Sequence, residues 1–85
     1  MLSFDIVLTA ESEEFIKKCD KSLRNGILKS FRKLEDEPKK GKPFTTILTG
    51  LWSLRIGDCK ATYQIKNSEL IVVVIKIEHR NNVYR

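Results

Sequence analysis

The chain has little of what would tie it to a metal, a disulfide framework or a membrane. Of its 85 residues only two are cysteine, Cys19 and Cys59, far apart and with no CxxC pair or histidine at ligand spacing nearby. Neither a metal site nor a disulfide scaffold is indicated, and free thiols in a cytoplasmic protein are expected. No stretch reaches the run of about 18 apolar residues that a membrane helix needs. Residues 1–10 lack the basic start and long apolar segment of a secretory leader, so a soluble, unsecreted chain without membrane contact is expected. Internal repeats, low-complexity tracts and linkers are missing too. The expectation is one domain over residues 1–85, near the lower end of what holds a core without staples, and an obligate partner suits that size.

Positive charge is what the chain has in excess. Sixteen Lys and Arg stand against 11 Asp and Glu, a formal net charge of +5. That balance fits a polyanionic or acidic partner, nucleic acid first, although it speaks to association and not to fold. Between Lys17 and Lys42 there are ten Lys and Arg against four acids. Two readings stand: a solvated helix face, or a flank that tracks phosphates and loses affinity steeply with salt. Lys39, Lys40 and Lys42 belong to a predicted loop, Lys39-Lys40-Gly41-Lys42-Pro43, placed to touch a polyanion without specificity.

Hydrophobic periodicity predicts the elements. Ser3 to Thr9 alternates with Phe4, Ile6 and Leu8 on one side, a half-buried strand that should join a later sheet. Thr9 is the expected cap of the next helix, with Glu11, Glu13 and Glu14 at the positive end of its dipole and Phe15, Ile16 and Cys19 as its buried stripe. A break near Cys19-Asp20 starts a second helix, capped by Asp20, with Leu23, Ile27, Phe31 and Leu34 at helical spacing and Pro38 ending it. Gly26 inside it costs roughly 1 kcal/mol relative to Ala, which asks for close packing or a kink.

The remainder reads as three antiparallel strands and a short basic tail. Leu51–Ile56 and Cys59–Lys66 flank Gly57-Asp58, the mark of a tight hairpin. A two-residue loop sets Ile56 opposite Cys59, Arg55 opposite Lys60, Leu54 opposite Ala61, Ser53 opposite Thr62 and Trp52 opposite Tyr63. One face then carries Trp52, Leu54, Ile56, Cys59, Ala61, Tyr63 and Ile65, a core face on which Trp52 and Tyr63 read as packing residues and not as base-stacking platforms. The other carries Ser53, Arg55, Lys60, Thr62 and Gln64. Two cations directly opposite each other repel, and a bound anion would remove the conflict; a wet sheet face with splayed charges is the plainer reading. The strand from Leu70 to Ile77 is apolar on both sides, so it is expected at the sheet centre, covered on both faces, leading into His79 and Arg80. The cations and tail would then converge on one face.

The segment Gly50-Leu-Trp-Ser-Leu-Arg-Ile-Gly-Asp-Cys-Lys-Ala-Thr-Tyr-Gln-Ile, the apolar strand after it and the terminal Ile77-Glu-His-Arg-Asn-Asn-Val-Tyr-Arg85 resemble the toxins of the RelE/ParE superfamily, as does the preceding strand, two helices and Leu-Glu-Asp-Glu-Pro helix end. The resemblance covers essentially the whole chain. It implies an α+β fold of order β-α-α-β-β-β: an N-terminal strand, a two-helix hairpin, a three-stranded antiparallel meander and a basic tail. For the RelE type it implies a type II toxin that enters the ribosomal A site and cuts mRNA by attack of a ribose 2′-hydroxyl, without metal or other cofactor. Its implied partners are ribosome, mRNA and a RelB-like antitoxin, acidic and partly disordered when free, seated as a helix in a groove or an added strand.

Residue by residue, the resemblance matches Lys60 to a phosphate-binding position, Arg80 to the catalytic arginine after the last strand, and Tyr84 to the C-terminal tyrosine. Arg55 matches a basic position on the Lys60 face, with Ser53 beside it and Arg85 closing the tail. His79 falls where the family varies between Lys and His. A lone histidine is more often structural, yet one between Glu78 and Arg80 suits acid or base work near neutrality. There are departures: the family's two second-strand lysines are Leu51 and Ser53 here, a glutamate base has no counterpart near Phe44, and Lys60 lacks the fork of an arginine. A ParE-like topoisomerase inhibitor and a catalytically inactive RNA- or antitoxin-binding module therefore remain as alternatives.

Overall fold

The computed structural model describes residues 3–43 and 50–79. Strand β1 (Asp5–Leu8) leads into helices α1 (Ala10–Lys18) and α2 (Lys21–Asp36), then a 3-10 turn at Pro38–Lys40. Strands β2 (Lys42–Pro43), β3 (Leu51–Ile56), β4 (Cys59–Lys66) and β5 (Ile71–His79) complete one sheet of order β1-β5-β4-β3-β2.

Both helix starts follow from single side chains. Thr9 Oγ1 accepts the Ser12 N–H at 3.2 Å, and Asp20 Oδ1 accepts that of Leu23 at 2.7 Å. Such caps satisfy amides that have no partner inside the helix. One basic residue of the charge run is structural: Arg24 donates from Nε to the Ile16 carbonyl and from Nη2 to those of Lys17 and Cys19, tying the C-terminal end of α1 to α2. Ile27, Phe31 and Leu34 of α2 pack with Ile56, Cys59, Ala61, Tyr63, Val72, Val74 and Ile77 of the sheet. The stripe expected on α1 is half-buried, and its one fully buried residue is Ser12.

The hairpin register is the expected one from Trp52↔Tyr63 to Ile56↔Cys59. Gly57 sits at φ 58, the left-handed backbone that a primed two-residue turn needs and glycine accepts without strain. Strands β3, β4 and β5 form the antiparallel meander, and β1 joins it in parallel beside β5.

Three details differ from the sequence reading. The Lys39–Pro43 stretch is a 3-10 turn followed by a two-residue strand, not a loop; Lys42 and Pro43 pair with Ser53 and Trp52 at the sheet edge, where a proline's missing N–H costs no ladder bond. Strand β5 is interior, but the helices cover one face only, leaving Ile71, Val73 and Ile75 half-buried on the other. Most consequential, the β4–β5 register slips: Tyr63 pairs with Val74 but Thr62 with Lys76, so Ile75 is an extra residue.

That bulge reverses the alternation. Uninterrupted pleating from Val72 and Val74 would turn Lys76 and Glu78 to the helix side, Lys76 into the core, and put Ile77 and His79 on the open face. One inserted residue exchanges the faces of everything after it, so Ile77 is buried while Lys76 and Glu78 stand on the open face. The start of α1 holds the bulge in place. Thr9 Oγ1 donates to the Ile75 carbonyl at 2.6 Å, and the buried Ser12 hydroxyl donates to that of Val74 at 2.8 Å.

Replacing Ser12 by Ala removes one of the donors to the Val74 carbonyl, which keeps the Thr9 N–H at 3.3 Å, and should cost about 0.5–1.5 kcal/mol in chemical denaturation. Gly26→Ala should do the opposite. A Cβ there meets only Ile56 Cγ2, at 3.9 Å, so the gain in helix propensity, about 0.5–1 kcal/mol, is expected as added stability.

Candidate functional site

The open face of the sheet is built by cross-strand registry. Lys42, Ser53, Thr62 and Lys76 form one row across β2, β3, β4 and β5; Arg55, Lys60 and Glu78 form the next. Four cations and a single carboxylate thus stand among the described residues of these two rows. Arg55 and Lys42 are exposed, and Lys60, Ser53 and Glu78 are half-buried. Lys76 Nζ lies 3.6 Å from Glu78 Oε1.

Arg55 and Lys60 do oppose each other, as their hairpin demands, and the negative group that eases their repulsion is in the chain itself. Glu78 sits directly across β4 from Lys60. Such a face can bind phosphate oxygens of a polyanion through several ammonium and guanidinium donors at once. Neither Lys76 nor Glu78 stood out in the sequence. The signal lay in the Lys-Ile-Glu alternation after a wholly apolar run, legible only to a reader who allows the slip at Ile75.

His79 is not part of this face. The same slip carries it to the helix side, where its ring centroid lies 5.5 Å from that of Phe15 and its Nδ1 is 3.6 Å from Cys59 Sγ. It borders a cleft of about 410 Å³ with Phe15, Cys19 and Ile77. The expected convergence of His79 with Arg55 and Lys60 does not occur. Burial, followed by the nearby Asp58, Cys19 and Asp20, pushes the Cys59 thiol up.

Of the other basic positions, Lys39 borders a separate cleft with Phe4, Pro38 and Ile65, away from the Arg55–Lys60 row, and Lys40 is exposed in the same turn. Arg80, Tyr84 and Arg85 lie outside the described residues.

Tyr63 organises the approach of Lys42 from beneath the sheet. Fully buried and stacked against Trp52 at 6.5 Å between ring centroids, it is a core residue as expected. Its hydroxyl donates to the Pro38 carbonyl at 2.7 Å and accepts the Gly41 N–H at 3.1 Å. Burial raises its phenol above the ordinary value, the Gly41 hydrogen bond partly opposing this. Gly41 is required here, because a Cβ would press on the Ser53 carbonyl and come within 2.6 Å of the Tyr63 hydroxyl.

A strand, a helical hairpin and a mixed sheet with a basic open face define the class: a small α+β protein. The family model described as the ParE toxin of type II toxin–antitoxin systems matches residues 6–84. The chain belongs to that family. It is 35% identical over 57 residues to Toxin RelG of Mycobacterium tuberculosis, a match spanning 66% of this chain and 66% of that protein. Among solved structures, it resembles a chain of the RelBE2 toxin–antitoxin complex of the same organism, with 26% identity, TM-score 0.81 and 94% of each chain covered. It also shares the fold of the isolated E. coli RelE toxin, with TM-score 0.79 at 15% identity, covering 96% of this chain and 92% of that one.

Removing the Tyr63 hydroxyl tests its role. Tyr63→Phe strands the Pro38 carbonyl and Gly41 amide and should cost about 1–2 kcal/mol in denaturant titrations. Amide exchange should rise at Gly41 and Lys42 while the β4–β5 ladder stays protected.

Proposed function

We propose that this protein is a ribosome-dependent endoribonuclease toxin that cuts mRNA in the A site and so inhibits translation, restrained by a RelB-like antitoxin. The observation that carries the reading is the open face on which Lys42, Arg55, Lys60 and Lys76 are brought together by strand registry. The sequence match to Toxin RelG and the structural match to a chain of the RelBE2 toxin–antitoxin complex support it.

The reaction is attack of a ribose 2′-oxygen on the adjacent phosphorus, which builds negative charge on the phosphate oxygens. In this reading Lys60 and Arg55 stabilise that charge, together with Arg80 and Tyr84, which the family resemblance assigns to the site. Cations aimed at charge that develops only in the transition state supply several kcal/mol of such a barrier. Ser53, Lys39, Lys40, Lys42 and Arg85 contribute contacts to RNA, which weaken with salt because releasing condensed counterions gains less at higher ionic strength. An acidic antitoxin segment would cover the basic face by charge complementarity. The matched family's description as a ParE toxin favours one second reading, a topoisomerase inhibitor on the same scaffold.

Purified protein added to ribosomes holding a defined A-site codon should generate new mRNA ends within that codon, with naked RNA left intact. Arg80→Ala should lower the rate about 10²–10³-fold with the fold retained. Wild-type cutting by Arg80→Ala would remove that residue from the site. Ribosome-bound message left uncut by the native protein, with DNA damage in expressing cells, would favour the topoisomerase reading.

A further inference from the structure

The 2′-hydroxyl must give up a proton as its oxygen attacks, and the positions at which the family carries second-strand lysines hold Leu51 and Ser53. The open face supplies another acceptor. Of its described strand residues only Asp5 and Glu78 are acidic, and Asp5 pairs with Ile71 at the far end of the sheet. Glu78 is instead set among the phosphate-binding cations: Lys60 directly across the ladder, Arg55 one strand beyond it, and Lys76 at 3.6 Å on its own strand.

We infer that Glu78 is the general base of the cleavage reaction, a reading that rests on the endoribonuclease function proposed above. Opposite residues on paired strands lie about 5 Å apart, so a phosphate held by Lys60 brings its neighbouring ribose within reach of the Glu78 carboxylate. A carboxylate oxygen takes the 2′-hydroxyl proton while the 2′-oxygen bonds to phosphorus. The bond from phosphorus to the 5′-oxygen breaks, its electron pair leaves on that oxygen, and a water molecule protonates it. The products are a 2′,3′-cyclic phosphate and a 5′-hydroxyl. The hydroxide left by that water takes the proton from Glu78, restoring the carboxylate.

The competing role is that Glu78 merely neutralises Lys60 and Lys76, occupying the place of the phosphate until RNA arrives. The two roles differ in sign. As a base, Glu78→Gln cuts ribosome-bound mRNA about 10²–10³-fold more slowly, while binding to ribosomes carrying a 2′-deoxy A-site codon is equal to or tighter than wild type. As a neutralising group, its removal frees two lysines for phosphate and leaves cutting as fast or faster, which would overturn the inference. Thermal unfolding of the isosteric variant checks the fold, and Glu78→Asp, keeping the carboxylate one methylene shorter, should recover part of the rate. A native protein that cuts nothing on the ribosome would overturn both the endoribonuclease reading and this one. Normal cutting by Glu78→Gln beside an active wild type overturns this one alone.

Discussion

Two hydroxyl groups at the start of α1 decide which way the last strand faces. Thr9 and Ser12 donate to the carbonyls of Ile75 and Val74, the point at which β5 carries one residue more than β4. A bulge leaves ladder groups in need of partners, and a buried carbonyl without one is expensive. The cap of a helix and the slip of a strand are therefore one device. Thr9 satisfies an amide of α1 and a carbonyl of β5 together, which links the helical layer to the sheet at the level of the candidate site.

The consequence is a clean division of the charged strand end. Ile77 and His79 go to the helix side, where His79 meets Phe15 and Cys59, and Lys76 and Glu78 go to the open side beside Lys60. Without the slip, Lys76 would take the buried place that Ile77 holds in the apolar core, at a cost of several kcal/mol for an ion taken out of water. With it, the basic face gains both a further cation and its nearest carboxylate. Tyr63 does the same service at the other edge, bonding the turn that precedes Lys42 from within the core.

Much of this was legible in the residues. The helix caps Thr9 and Asp20, the hairpin register around Gly57 and the core face of Trp52, Leu54 and Tyr63 all rest on local rules of spacing and hydrogen bonding, and the structure carries each of them. What was not legible depends on contacts distant in sequence. Whether β5 bulges is set by hydroxyls over sixty residues away, and period-two reasoning then assigns Lys76, Glu78 and His79 to the wrong sides. The pairing of Lys42 with Ser53 hinges on Gly41 fitting against a strand that follows it. The order of family-like segments was readable because it is one-dimensional; the convergence of their side chains is not.

The account turns on the side of the sheet that His79 occupies, and nuclear Overhauser contacts in the free protein measure it directly. The bulged register predicts cross-peaks from the His79 ring protons to the Phe15 ring and the Cys59 β-protons. Cross-peaks instead to the Lys60 side chain, with none to Phe15, would mean that β5 runs without the slip and that Lys76 and Glu78 do not share the open face with Lys60.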